Sequence, residues 1–364
     1  MNCTIAILRM ENKITIFDTM QLINNRWRIP QFLTDISHRI GTRSDTSESS
    51  GVTHPFWVIV QKEVADHVRS WRFKILLILI LMTCLGSLYT SITAISEGTT
   101  ASNRETGFFF LKLLTLSDGS LPPFHVFIGF LGPLLGIVMG FDAINSEKSR
   151  GTLPRVMSQP IHRDYLINAK FVGALIVIST LFFALGFLVM GMGLIIIGIP
   201  PSAGEFLRII FFIFLSILYV SFWLNLAILL SVRFRQAATS AMTSIAVWLF
   251  FTVFYQIFLN LASRAIMPSE TATPEQISNY QNLMYDLVRI LPSQLYTDAT
   301  TTLLMPSVRS LSPLTMDQVY GAIPAPLPVG QSILLVWPQL TGLIAATVLC
   351  FALSYVSFMR EEIR

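Results

Sequence analysis

Six long stretches of this 364-residue chain contain no Asp, Glu, Lys or Arg: 75–96, 119–141, 171–204, 209–232, 236–263 and 318–359. Each can hold the roughly 20 apolar residues that a helix needs to cross a bilayer. Helices buried in soluble domains rarely run so far without a charge. The apolar stretches are continuous, which excludes the short alternating strands of a membrane barrel. The sequence therefore predicts an all-α, polytopic membrane protein with six transmembrane helices. The expected spans are 74–96, 122–142, 168–198, 208–231, 237–261 and 333–358. The run 171–204 exceeds one span, so its helix tilts or extends beyond the hydrocarbon. Charged residues make up 13% of the chain, against about a quarter in a soluble domain.

Basic residues orient the spans. With the N-terminus in the cytoplasm, one side receives Lys62, Arg69, Arg72, Lys74, Lys148, Arg150, Arg155, Arg163, Lys170, Arg233, Arg235, Arg360 and Arg364. The other receives Arg104, Lys112, Arg208, Arg264, Arg289 and Arg309. The excess lies close to the span ends, where the positive-inside rule counts. A multi-pass protein of the cell membrane with both termini cytoplasmic is expected. The net charge of +4 expresses this bias and is no sign of nucleic-acid binding.

Residues 1–54 read as a disordered N-terminal tail, ending in the small, polar "GTRSDTSESSG". The transmembrane domain is then 55–364. Residues 55–72 read as an amphipathic helix. Trp57, Val60, Val64, Val68 and Trp71 recur at helical spacing, while Gln61, Lys62, Asp66 and Arg69 lie elsewhere on the wheel. Such a helix is expected to lie in the membrane interface, with lipids as its partner. In the loop before the last span, Thr273 and Gln276 form a capping box, with Pro274 at the first helical position. A second helix restarts at Ser293, which gives a small outer helical hairpin.

Span two carries Gly132, Gly136 and Gly140 on one face, where another helix can approach closely. These glycines are candidates for helix packing or for the substrate path. So are the intramembrane Asn225 and Gln256. Acids and bases are nearly absent inside the spans, which argues against an ion-coupled pump. The phosphate-cradling GxxxxGK[ST] is missing, as are HExxH, GxSxG and CxxC. No nucleophile, base and orienter can be assembled. No catalytic residue, metal ligand or cofactor site is expected in this chain, and any energy comes from another one.

The apolar chain breaks between spans two and three for "FDAINSEKSRGTLPRVMSQPIHRDYLINAK". Asn145 to Arg150 can continue span two past the membrane. Gly151 permits a turn, and Thr152 can cap a short helix through Val156 and Met157. Arg163 and Lys170 then anchor span three. A short helix carried on two helical arms is shaped to take force from a soluble partner.

Glu147–x–x–x–Gly151–Thr152–Leu153, then Ser158–x–Pro160, Arg163 and Lys170, resembles the signature of type 2 ABC exporter permeases. Lys62–Glu63 with Arg69 is similar to the N-terminal pattern of that family, and "LPSQLYTDAT" to its outer hairpin. "GFDAINSEKSRGTL" resembles permeases of the nitrous-oxide-reductase maturation type. The chain departs from the pattern at Pro154 and Ala169. The resemblance covers about residues 55–360. It implies a cytoplasmic coupling helix that docks on a separate ATP-binding cassette ATPase. Glu147, Arg150, Gly151, Thr152, Leu153, Arg155, Ser158, Pro160 and Arg163 would carry that contact. It further implies ATP and Mg on that partner, and a second permease copy or paralogue. The alternative is a membrane assembly factor or enzyme without transport, which should show a catalytic cluster between spans.

Overall fold

The computed structural model describes residues 54–97, 108–154, 158, 162–198, 200–268, 273–307 and 326–360. The tail, except His54, lies outside the described residues, as do Arg155 and Pro160 of the coupling segment. Among the described residues there is no strand, and six helices are long and apolar enough to cross a membrane. The order is α1 (Pro55–Arg69), α2 (Trp71–Glu97), α3 (Phe109–Thr115), α4 (Phe124–Gly140), α5 (Asn145–Ser149), α6 (Arg163–Ile197) and α7 (Ala203–Arg233). Then come α8 (Ala237–Leu249), a π-helical turn (Phe250–Phe254), α9 (Tyr255–Ile266), α10 (Pro274–Arg289), α11 (Pro292–Leu304) and α12 (Val329–Arg360).

The bundle is organised around α7. Its most hydrophobic window is 72% buried, while that of the α8–α9 span is 6% buried. Glycines in α4 create the closest contact. A Cβ on Gly136 would stand 2.6 Å from the Val220 carbonyl oxygen, and one on Gly140 2.7 Å from that of Leu224. The α4 face that carries Gly132, Gly136 and Gly140 thus packs inside the subunit. The backbones touch because no side chain separates them. Pro133 is accommodated inside α4.

On the other flank of α7, Asn225 reaches α12, donating from Nδ2 to the Thr347 carbonyl at 3.4 Å. Ser354 of α12 donates back to the Asn225 carbonyl at 3.3 Å. Gln256 lies exposed on α9. At the start of α7, Ser202 and Glu205 form a capping box, and Glu205 also accepts from the Phe110 amide of α3. Arg208, fully buried, donates to the Leu303 and Leu327 carbonyls. These contacts fix the end of the bundle that holds α3, α10 and α11.

Several boundaries differ from the sequence expectation. The amphipathic helix stops at Arg69, because Ser70 adopts an extended conformation. Trp71 therefore opens α2. Span two does not run straight through Asn145. Residues 141–144 form turns, and α5 is a separate helix. The helix after α10 starts at Pro292, not Ser293. The Thr273–Gln276 capping box forms, with Pro274 in the first helical position.

The α4–α7 contact yields a stability prediction. Gly136→Val would press a branched side chain against the Val220 carbonyl and the Leu224 amide. Overpacking of this kind costs on the order of 3 kcal/mol when backbone must yield. Gly191→Val, with open space at its Cβ, should cost far less. Melting of the two purified variants tests the difference, and equal loss would show that the α4–α7 approach is not limiting.

Candidate functional site

The segment after α4 is held by bonds its own sequence supplies. α5 has only five residues and cannot persist alone, since a nucleus this short is unfavourable. Its stop is a Schellman turn. The Gly151 amide donates to the Lys148 carbonyl at 3.1 Å and the Thr152 amide to the Glu147 carbonyl at 3.1 Å. Gly151 has φ +66°, in the left-handed region that favours glycine. The Thr152 hydroxyl donates back to the Glu147 carbonyl. Leu153, next in the chain, is buried in the core.

At its start, α5 is tied to the end of α7. Ser231 Oγ accepts from the Ile144 and Asn145 amides at 2.9 and 3.2 Å. Lys148 Nζ donates to the Val232 carbonyl at 3.1 Å.

A buried ion cluster joins α5 to α1 and α6. Lys170 of α6, only 5% exposed, places its ammonium 2.8 Å from Glu147 of α5 and 3.0 Å from Glu63 of α1. Lys62 sits 3.2 Å from Glu63 and 3.9 Å from Glu147. A buried charge survives only when paired, and here two carboxylates share the buried Lys170 ammonium and the more exposed one of Lys62. Burial pushes the Glu63 carboxyl up, but Lys170 and Lys62 outweigh it and hold it below the usual range. Burial lowers the Lys62 ammonium, yet Glu63, Glu147 and Asp66 together leave it raised. Burial also keeps His67 neutral to lower pH than an ordinary imidazole.

Beside the cluster lies a cavity of about 770 Å³ between α1, the start of α2 and the end of α4. Arg72 of α2 pairs with Asp142 across it and stacks over Phe141. Arg150 and Thr152 also line it.

Of the residues expected from the sequence, Lys62, Glu63 and Glu147 come together. Arg150, Gly151, Thr152 and Leu153 follow directly on α5, and Arg163 opens α6. Ser158 is exposed, and its amide donates to the Pro154 carbonyl. Arg69 lies apart, exposed at the end of α1. Lys170 does not act as the interfacial anchor expected from its place near a span end, because it is buried with two acids. Arg72 enters the sequence reading only as an orienting charge, and neither its pairing with Asp142 nor the Ser231 tie to α5 is visible there. The signal for Lys170 was the pair of acids on two other segments, visible only once the chain is folded.

Residues 57–363 match the family described as ABC-2 family transporter protein. The chain belongs to the ABC-2 transporter family. A probable ABC transporter permease protein NosY of Pseudomonas aeruginosa is 29% identical over 213 residues, covering 56% of this chain and 69% of that protein. A protein of the same description from Stutzerimonas stutzeri is 23% identical over 212 residues, covering 56% of this chain and 68% of that protein. As an ABC-2 member with six membrane-length helices, the chain is a multi-pass permease subunit of an ABC transporter. In this family the membrane subunit works with an ATP-binding cassette partner.

The permease should lose stability on mild acidification. His67, lowered in the fold, contributes stability that is fully present above the ordinary imidazole value and is lost as pH falls through it. Glu63, also lowered, keeps its contribution until pH falls below the ordinary carboxylate range. Between about pH 7.5 and 5.5 the loss therefore belongs to His67 rather than Glu63. Thermal melting of purified protein across that range should show the loss, and His67→Gln should reduce it. An equal drop in the variant would assign it elsewhere.

Proposed function

We propose that this chain is the membrane half of an ATP-driven exporter, and that Glu147–Arg163 is where a separate ATPase subunit docks. The observation that carries the reading is the α5 segment itself. A polar helix and a glycine stop lie outside the apolar spans, yet are tied to α7 through Ser231 and Lys148 and to α6 through Lys170. A docked partner would push on a handle already bonded to the bundle. ATP and Mg belong to that partner, and this chain supplies no catalytic group. A second permease copy or a paralogue completes the path. α1 rests on the membrane surface among lipids, with Trp57 and Val68 outward. The α5 end faces the cytoplasm with both termini, and the protein sits in the cell membrane. This orientation rests on the basic-residue bias, and it gains support from Arg208, an exception on the far side whose charge is spent on two backbone carbonyls.

Two measurements test this. Single cysteines at Ser149 and Ser278, both exposed, in a background lacking Cys3, Cys84 and Cys350, should label from opposite sides of intact cells. Labelling of both from outside sinks the topology. Gly151→Pro is the test of docking. Proline cannot adopt φ +66° and removes the amide that bonds Lys148. The open space around Gly151 means that the damage stays local. The variant should insert and fold yet lose at least tenfold in affinity for the ATPase subunit in pull-down titration. Wild-type binding would make the segment an ordinary loop.

A further inference from the structure

We propose that Lys170 is a positioning residue that makes α1 and the α5 segment one mechanical unit, so that a push on α5 is delivered to α1. The inference rests on the docking reading of α5 and adds the route by which force leaves it. Among the described residues, α1 and α5 share no extensive packing. The 770 Å³ cavity lies between their polar faces. What spans the gap is charge. Lys170 binds Glu147 on one side and Glu63 on the other, reaching partners 23 and 107 residues away.

Glu63 is itself immobilised. Gly173, one turn beyond Lys170 on α6, admits α1 so closely that a Cβ there would stand 2.9 Å from the Glu63 Cβ and 3.5 Å from the Val60 carbonyl oxygen. Glu63 is thus pinned on α6 at its Cβ by the glycine and at its carboxylate by the ammonium. Glu147 is 14% exposed, and its Oε2 is buried without a hydrogen-bond partner. The Lys170 bond to Oε1 is its anchor. Lys62 reinforces the bridge from α1 but is 60% exposed, so water screens it.

The experiment separates positioning from mere folding. Lys170→Met alone leaves Glu63 and Glu147 with only the exposed, water-screened Lys62 as counter-ion and should melt early. The neutral variant Lys170→Met/Glu63→Gln/Glu147→Gln removes all three charges and should recover wild-type melting. Nitroxide labels at Gln61 of α1 and Ser149 of α5, both exposed, report their separation. It is measured in the permease alone and in the complex with its ATPase subunit trapped by ATP and vanadate. The wild type should give one narrow separation, the same in both states. The neutral variant should at least double the width of the distribution, and Lys170→Arg should restore it. If the neutral variant does not fold, Glu147→Gln, which keeps the Lys170–Glu63 pair, should broaden the separation by itself. A separation as narrow as wild type in the neutral variant, or in Glu147→Gln, overturns the proposal. The Ser149 label also reports on docking. If it keeps its mobility when the ATPase subunit is added, the docking reading fails, while the distance in the permease alone still decides whether Lys170 positions α5.

Discussion

The backbone contact between α4 and α7 sets the rest of the bundle. In hydrocarbon, helices gain little from burying apolar side chains against each other, so close van der Waals approach decides which pairs hold. Gly136 and Gly140 bring α4 within reach of α7 carbonyls. With that pair fixed, α7 presents its remaining faces to α12, α6 and α11. The same pairing places the end of α4 beside the end of α7, where Ser231 can meet the first amides of α5. The position of the functional segment is therefore a consequence of glycines some two turns of helix away from it.

The two ends of the bundle solve different problems with the same chemistry. At the far end, Arg208 spends its charge on carbonyls that the chain leaves free near Leu303 and Leu327. This is structural: a buried cation meeting backbone dipoles. At the α5 end, charges meet charges on separate segments, beside a cavity. An ionic bridge over open space resists displacement without filling volume. The α8–α9 span stands apart from both, with a π-helical turn at its middle and large apolar side chains such as Phe254 and Phe258 uncovered.

What could be read from the sequence follows from range. The spans were legible because a bilayer demands long uncharged runs, and such runs are local. The Thr273–Gln276 cap and the turn at Gly151 were legible for the same reason, since each closes within six residues. α3 was not, because seven residues interrupted by Lys112 are too few to show a helical period. The π turn at Phe250–Phe254 leaves no mark in an apolar run. Glu63 enters the sequence reading only through its likeness to a family pattern, and nothing local marks it as 6% exposed, because its partner lies 107 residues further on. Lys170, by its place near a span end, reads as an anchor for the same reason. A charge near a span end has two fates, and only the fold says which.

Chain order gives the ion cluster a further consequence. A ribosome releases Glu63 first, Glu147 next and Lys170 last. Each acid lies on a segment outside the long apolar runs and can wait in water. The ammonium arrives on α6 when both counter-ions are already in place. The charge that would be hardest to bury alone is thus never asked to do so. Had the base come first, the nascent protein would have had to hold it unpaired while the next two segments were made. The order of the three residues along the chain spares assembly that step. It also lets the first three spans settle their charges before Arg208, or any later part of the permease, exists.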